Sequence, residues 1–173
     1  MQLMEVDKRR YRQRVNRVIT LFVVSLAVLS VALGSLLITL FGYDAPRADG
    51  STGNFGLNLI GVLLALALCS AVLHRFRHHP YLTEVFYVWR LKQMMNRIYR
   101  QYKSLEARAE KGSEEALKVL CFYALAQKQV YQLDDNTLTL SEVEQRIQRL
   151  EKQVAPRTVE EMAAAFEPKM LTS

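Results

Sequence analysis

Two long apolar segments without a charged side chain stand out from the rest of the chain. Residues 18–41 form a run of 24 residues and residues 55–73 a run of 19. A helix needs roughly 20 apolar residues to cross a hydrocarbon core about 30 Å thick. The pattern therefore predicts two transmembrane helices, at residues 18–41 and 55–73, joined by a turn at residues 42–54.

Two other interpretations of these segments fit the pattern less well. Helices that are apolar on every side can form the centre of a soluble protein, but a chain of 173 residues cannot easily bury two of them. A cleaved signal peptide has an apolar region of about 7–15 residues and small residues at the cleavage site. The first run is longer and has no such site, so we interpret it as a retained anchor.

The chain beyond residue 80 has the periodicity of amphipathic helices. Apolar side chains recur at alternating steps of four and three, which places them on one face of a helix. This predicted interaction seam consists of Leu91, Met95, Ile98, Tyr102 and Leu105. We expect a hairpin of two helices, about 30 and 20 residues long, with one or two shorter helices packed on it.

Turn and capping residues predict where these helices begin and end. Gly112 is a suitable stop and Ser113 a suitable N-cap for the next helix, which is apolar nearly all round. Residues 141–144 (SEVE) and 158–161 (TVEE) both match the capping-box pattern. Pro156 is expected to end the helix that the first of these boxes begins.

The distribution of basic residues predicts the orientation in a membrane. Residues 1–17 contain six Lys or Arg, residues 42–54 contain one, and residues 75–103 contain seven against a single acid. Because Lys and Arg favour the cytoplasmic side, both termini are expected there. The predicted fold is all-α: a basic cytoplasmic segment (1–17), an antiparallel transmembrane hairpin with a periplasmic turn (42–54), and a small cytoplasmic helical domain (74–173).

Small residues suggest how the two spans pack together. In an antiparallel hairpin Gly34 would lie near Gly61, and Thr39 could satisfy the Asn58 amide inside lipid. The predicted packing residues are Ser30, Gly34, Asn58, Gly61 and Ala65. The same small residues could instead mediate dimerisation between two chains. No charged residue lies inside either span, which argues against an ion or proton pathway.

The residues that follow the second span are typical of a membrane surface. Basic side chains there would contact anionic headgroups, and aromatic ones would lie at the membrane shoulder. The predicted membrane-interface residues are Arg75, Arg77, His78, His79, Tyr87 and Trp89. His74 and His78 also have a four-residue spacing that could hold a metal, but no further ligand accompanies them, so no metal site is predicted.

No catalytic motif was found in the sequence. Phosphate-binding loops, G-x-S-x-G and H-E-x-x-H are all absent. Cys69 and Cys121 are expected to behave as small hydrophobic residues. Basic and aromatic residues alternate in residues 89–103, as in some nucleic-acid-binding surfaces, but helix packing and lipid contact explain them better. We therefore expect no enzyme activity, no cofactor and no nucleic-acid partner, and the sequence identifies no small-molecule substrate. An enzyme that acts on membrane lipids is a third, weaker alternative, because it would need a nucleophile or metal constellation that the sequence does not show.

Four stretches carry a resemblance to a known family: RYRQRVNRVI (10–19), NLIGVLL (58–64), HHPYLTEVFYVWRLKQMMNRIYR (78–100) and YQLDDNTLTL (131–140). The chain resembles a family of short gammaproteobacterial proteins with two spans in the inner membrane, classified as a domain of unknown function. The resemblance implies a bacterial inner (plasma) membrane location and brings no active site with it.

Two functional hypotheses follow from these patterns. In the first, a two-helix anchor presents a cytoplasmic helical module that assembles with itself or docks to a larger inner-membrane complex. In the second, the protein is a sensor or regulator that reads anionic lipid or pH through the histidine cluster at residues 74–79 and the basic stripe at residues 75–103. The phospholipid bilayer and its anionic headgroups are expected partners in both.

Overall fold

The chain folds into α-helices, as the periodicity predicts. The computed structural model describes residues 2–42 and 53–171; in these ranges 79% of residues are helical and no strand occurs. The α-helices are α1 (Lys8–Phe41), α2 (Phe55–Arg75), α3 (Thr83–Tyr99), α4 (Tyr102–Glu110), α5 (Glu114–Leu133), α6 (Leu140–Val154) and α7 (Val159–Ala164), followed by a 3₁₀ helix at Pro168–Leu171. The predicted turn at 42–54 lies largely outside the described residues.

The chain divides into two compact units. One, here called the module, comprises Met1–Arg12 and Glu84–Ser173; the other, here called the long-helix unit, comprises Gln13–Thr83. The predicted domains placed residues 1–17 by themselves. Their first part instead belongs to the same unit as the C-terminal helices.

Helices α1 and α2 are both long and apolar enough to cross a membrane. The most apolar stretch of α1 is 6% buried, and that of α2 is 17% buried. The central helix of a soluble protein would be mostly buried, so these two helices expose apolar surface to their surroundings. Helix α1 starts ten residues before the predicted span, because the Asp7 carboxylate caps it by accepting a hydrogen bond from the Arg10 amide at 2.7 Å.

Helix α5 forms the centre of the module, as its nearly continuous apolar sequence suggests. It contacts α4, α6, α7 and the 3₁₀ helix, and eleven of its 20 residues are buried. Phe122 of α5 stacks on Phe166 with the ring centroids 4.2 Å apart. Helix α6 turns one apolar stripe towards this core, formed by Val143, Ile147, Leu150 and Val154.

The helix boundaries confirm two of the predicted caps and correct two other predictions. The Ser113 hydroxyl accepts from the Ala116 amide, and Thr158 and Glu161 form a complete capping box. The capping box predicted at residues 141–144 is wrong: α6 begins at Leu140, which places these residues inside the helix. The predicted helix of about 30 residues is interrupted between α3 and α4, where the Gln101 amide donates to the Ile98 carbonyl three residues back.

Candidate functional site

Within the module, the N-terminal segment (residues 2–12) is attached to helices α3 and α5 through a ring of hydrogen bonds. The Met4 amide donates to the Tyr87 hydroxyl at 2.8 Å, and this hydroxyl donates to Gln129 Oε1 at 3.1 Å. The Gln129 side-chain nitrogen donates to the Met4 carbonyl at 2.5 Å, which closes the ring. Burial raises the pKa of Tyr87, although the bonds to Met4 and Gln129 partly oppose this. The ring ties an extended segment to α3 and α5.

Ion pairs reinforce this attachment within the module. Lys8 and Arg12 both pair with Asp135, and Arg10 lies 3.8 Å from the Glu84 carboxylate. Asp135 lies in the turn between α5 and α6 with φ +57°, a left-handed conformation that Asp tolerates better than most residues. Three of the six bases that precede the first span therefore contact acids of the module.

Sequence reasoning missed this attachment, although a signal for it was present. Tyr11 is a lone aromatic residue in a strongly basic run, and it is only 7% exposed in the structure. Burial is the main cause that raises the pKa of Tyr11. The positive charge of Lys92 lowers this pKa, and the negative charge of Asp134 raises it. Leu3 and Val6 are half-buried as well. A buried aromatic side chain beside apolar residues indicates a packed segment rather than a solvated basic tail.

The predicted interaction seam forms part of the module's own core. Leu91 and Ile98 are 0% exposed and Leu105 is 1% exposed, whereas Met95 and Tyr102 are half-buried. The structure thus brings these residues together along α3 and α4, but their contacts lie within one chain. Leu91, Ile98 and Leu105 are therefore covered by the chain itself.

A small polar network accompanies Tyr102 at the edge of this core. The Arg146 guanidinium donates to Gln127 Oε1 at 2.6 Å and lies 5.3 Å from the centre of the Tyr102 ring. The Gln127 side-chain nitrogen donates to the Tyr123 hydroxyl at 3.0 Å. Burial raises the pKa of Tyr102 to about 12. Because the buried Gln127 amide is satisfied on both sides, the network stabilises the fold and offers no reactive group.

The predicted membrane-interface residues separate into two groups. Arg75, Arg77, His78 and His79 are exposed at the end of α2 and just after it, and Trp89 is 56% exposed on α3. Tyr87 differs from this expectation, because it is 6% exposed and held in the ring with Met4. Its side chain therefore faces the interior of the module and not a lipid headgroup.

The histidine cluster is organised around Arg77. Helix α2 ends at Arg75, so His74 and His78 do not share a helical face as their spacing suggested. The Arg77 guanidinium donates to His78 Nε2 at 2.9 Å and also contacts the His74 ring. Within the described residues, no group of three or more His, Cys, Asp or Glu side chains could hold a metal ion.

The predicted packing residues include a close contact between α1 and α2. Gly34 and Gly61 are adjacent: a methyl group at Gly61 would lie 2.7 Å from the Gly34 nitrogen. Asn58 Oδ1 is near Gly34, whereas the Thr39 hydroxyl donates to the Ser35 carbonyl at 2.9 Å. Further along the two helices Ala65 is buried and Ser30 half-buried. The absence of side chains at Gly34 and Gly61 permits the close approach of the backbones.

Neither cysteine is poised for chemistry. Cys69 lies buried in α2 and Cys121 in α5, and both are free thiols. Burial, with a smaller contribution from Glu160, raises the pKa of Cys121 to about 12. A thiol of such high pKa is almost entirely protonated at neutral pH, and the protonated form is a poor nucleophile.

A family model described as "Protein of unknown function (DUF3087)" matches residues 1–171 of the chain. No curated protein and no solved structure matches it. The resemblance to a family classified as a domain of unknown function is confirmed, and the match extends over both units.

Proposed function

Since the chain belongs to the DUF3087 family of proteins of unknown function, we propose a role from its own residues: a non-enzymatic membrane protein in which a two-helix anchor presents a helical interaction module. The module would face the cytoplasm from a bacterial inner membrane. It would assemble with a second copy or dock to a larger inner-membrane complex.

Insertion of α1 and α2 in a bilayer is supported by their length and exposure. Both helices satisfy the roughly 20 apolar residues that a span requires, and most of their apolar side chains are uncovered. Large exposed residues on α1 include Leu21 at 69% and Val31 at 71%. In water these surfaces would cause aggregation, whereas lipid chains would solvate them.

The orientation rests on one observation, the packing of residues 2–12 with the C-terminal helices in one compact unit. Residues that touch one another lie on the same side of a membrane. The ends of the chain before α1 and after α2 would therefore share a compartment, which requires the two spans to run antiparallel. The excess of Lys and Arg at both of these ends supports the cytoplasm as that compartment.

The docking surface would include Trp89 rather than the predicted seam, which is filled by the chain itself. The Trp89 ring is 56% exposed and meets Phe86 edge-on with ring centroids 6.3 Å apart. Exposed tryptophans are frequent anchors of protein interfaces. The α3 surface around Trp89 is therefore the proposed contact for a second copy or a larger membrane complex.

Photo-crosslinking in native membranes tests this function. A benzophenone amino acid at position 89 should give one discrete adduct, either a dimer or a complex with a defined partner. The same amino acid at Leu138, which is 89% exposed, serves as the control and should give none. A chain that stays monomeric with the probe at position 89 contradicts docking through this surface.

Fusion reporters test the orientation separately. An enzyme reporter that works only in the cytoplasm should be active when it is joined after Leu171. Activity of a periplasmic reporter at that position would contradict the orientation. A chain found in the supernatant after ultracentrifugation of a detergent-free lysate would contradict membrane insertion itself.

The sensor function is a second candidate, favoured by the contacts of Arg77. His78 Nε2 accepts a hydrogen bond from Arg77, and protonation of His78 would remove this acceptor and repel the guanidinium. His74, Arg75 and His79 would add to the repulsion. After correction for the intrinsic pH dependence of amide exchange, the protection of residues 74–79 in full-length protein in lipid nanodiscs should therefore fall between pH 8 and 5, and His78→Gln should reduce this fall. Constant protection contradicts the sensor.

A further inference from the structure

A cavity of about 670 Å³ lies between α1 and α2 in the long-helix unit. One stripe of each helix lines it, with the side chains spaced three or four residues apart. The apolar lining includes Val18, Leu21 and Phe22 from α1 and Leu68, Val72 and Leu73 from α2. A volume of this size is typical of a small-molecule or lipid site.

The charged and ring-bearing polar residues of the cavity lie at one end. Arg17 stands at this end on α1, and His79 and Tyr81 reach it from the segment after α2. From Arg17 the lining continues along α1 to Leu29, a distance of about 18 Å at 1.5 Å per residue. This distance slightly exceeds half of a hydrocarbon core about 30 Å thick, which is the depth of one leaflet.

The polar end presents hydrogen-bond donors and positive charge. The Tyr81 amide donates to His79 Nδ1 at 3.2 Å, so the proton of the neutral imidazole resides on Nε2, which becomes a donor. The Arg17 guanidinium adds a permanent positive charge, and the Arg14 guanidinium lies 5.0 Å from the centre of the Tyr81 ring. Such a set of donors matches a phosphate group.

We propose that this cavity holds one anionic phospholipid from the cytoplasmic leaflet. An acyl chain would occupy the apolar length, and the headgroup phosphate would accept hydrogen bonds from Arg17 and His79. Contact between the two helices at Gly34 and Gly61 would close one end, while the lipid would fill the space towards Arg17 and Phe76. The proposal rests on the membrane insertion proposed above.

Native mass spectrometry of the full-length protein tests the assignment. Protein extracted in mild detergent should retain one phosphatidylglycerol, and about tenfold less phosphatidylcholine at equal concentration. Both lipids carry the phosphate, but the choline ammonium of phosphatidylcholine cancels its charge and would be repelled by the Arg17 guanidinium. Ser25→Trp fills the cavity and should abolish retention. Val31→Trp places the same bulk on the exposed side of α1, where Val31 is 71% exposed, and should leave retention unchanged.

A second pair of variants tests the headgroup end without adding bulk. Arg17→Gln should remove the preference for phosphatidylglycerol, and Arg149→Gln, which loses the same charge from an exposed position on α6 outside the cavity lining, should keep it. The proposal is overturned if the wild type retains no lipid, or if Ser25→Trp retains as much lipid as the wild type. It is also overturned if the wild type is a dimer that Ser25→Trp converts to monomers, because a second copy of the chain would then fill the cavity. These results leave membrane insertion intact, which carbonate washing of native membranes tests independently.

Discussion

The Met4 amide donates a hydrogen bond to the Tyr87 hydroxyl across 2.8 Å, although the two residues lie 83 positions apart in the chain. This bond joins the first residues of the protein to the α3 helix of the module. Tyr87→Phe should lower the free energy of unfolding by about 1 kcal/mol, because it also removes the bond to Gln129. Hydrogen exchange of residues 4–7 should become faster, whereas Tyr99→Phe on the exposed side of α3 should leave it unchanged.

The ion pairs of Asp135 should hold the N-terminal segment mainly at low salt. Lys8 and Arg12 both pair with this carboxylate, whose side chain is 44% exposed. Asp135→Asn removes the charge while keeping a side chain that tolerates the left-handed backbone. It should destabilise the attachment by less than about 1 kcal/mol. Hydrogen exchange of the segment should differ from the wild type at low salt and converge above 1 M; equal rates at low salt would contradict an electrostatic contribution.

The contact between Gly34 and Gly61 should be intolerant of a side chain. A methyl group at Gly61 would lie 2.7 Å from the Gly34 nitrogen and 2.8 Å from its Cα, so the backbones would have to separate. Gly61→Ala should destabilise the helix pair by about 1–3 kcal/mol in detergent unfolding. Gly56→Ala is the matched control, since no atom lies within 4 Å of the added methyl group.

Cys121 should resist alkylation at pH 8. Its pKa of about 12 leaves almost no thiolate at that pH, and α5 is covered by other helices. In a Cys69→Ala chain, iodoacetamide should modify Cys121 only after denaturation. An exposed thiol introduced by Ser141→Cys should react in the native protein. Rapid labelling of native Cys121 would indicate that the module opens readily.

The module should lose stability at alkaline pH through Tyr102. The pKa of this phenol is about 12 in the folded protein, above its ordinary value of 10.0, so its contribution is complete below pH 10 and is lost as the pH rises to about 12. Thermal unfolding between pH 9 and 12 should show this decline, and Tyr102→Phe should reduce it. The loss of stability that remains in Tyr102→Phe should come from Tyr11, Tyr87 and Tyr123, because burial raises their pKa values as well.

The sequence alone was sufficient to predict the helices and caps that depend on neighbouring residues in the chain. The apolar runs predicted α1 and α2 because hydropathy and length are properties of a contiguous segment. The cap at Ser113 and the capping box at Thr158 were also recognisable, since each involves residues within one turn. Gly34 lies next to Gly61 in the structure, and the antiparallel transmembrane hairpin stays a prediction.

Features that depend on distant parts of the chain were not predicted. The break at Gln101 follows no proline or glycine, so local propensity gave no reason to expect it. Leu91 and Ile98 were expected to mediate assembly, because periodicity identifies an apolar face without identifying what covers it. The attachment of Met4 to Gln129 requires two segments that are 125 residues apart.

The attachment of the N-terminal segment also constrains the order of biosynthesis. A ribosome makes residues 2–12 before the two long apolar helices, and Asp135 and Gln129 emerge only after both helices have been translated. Throughout that interval the nascent segment has none of these partners, and the charges of Lys8 and Arg12 lack the carboxylate that they pair with in the folded chain. The attachment can therefore form only after nearly the whole module has been translated.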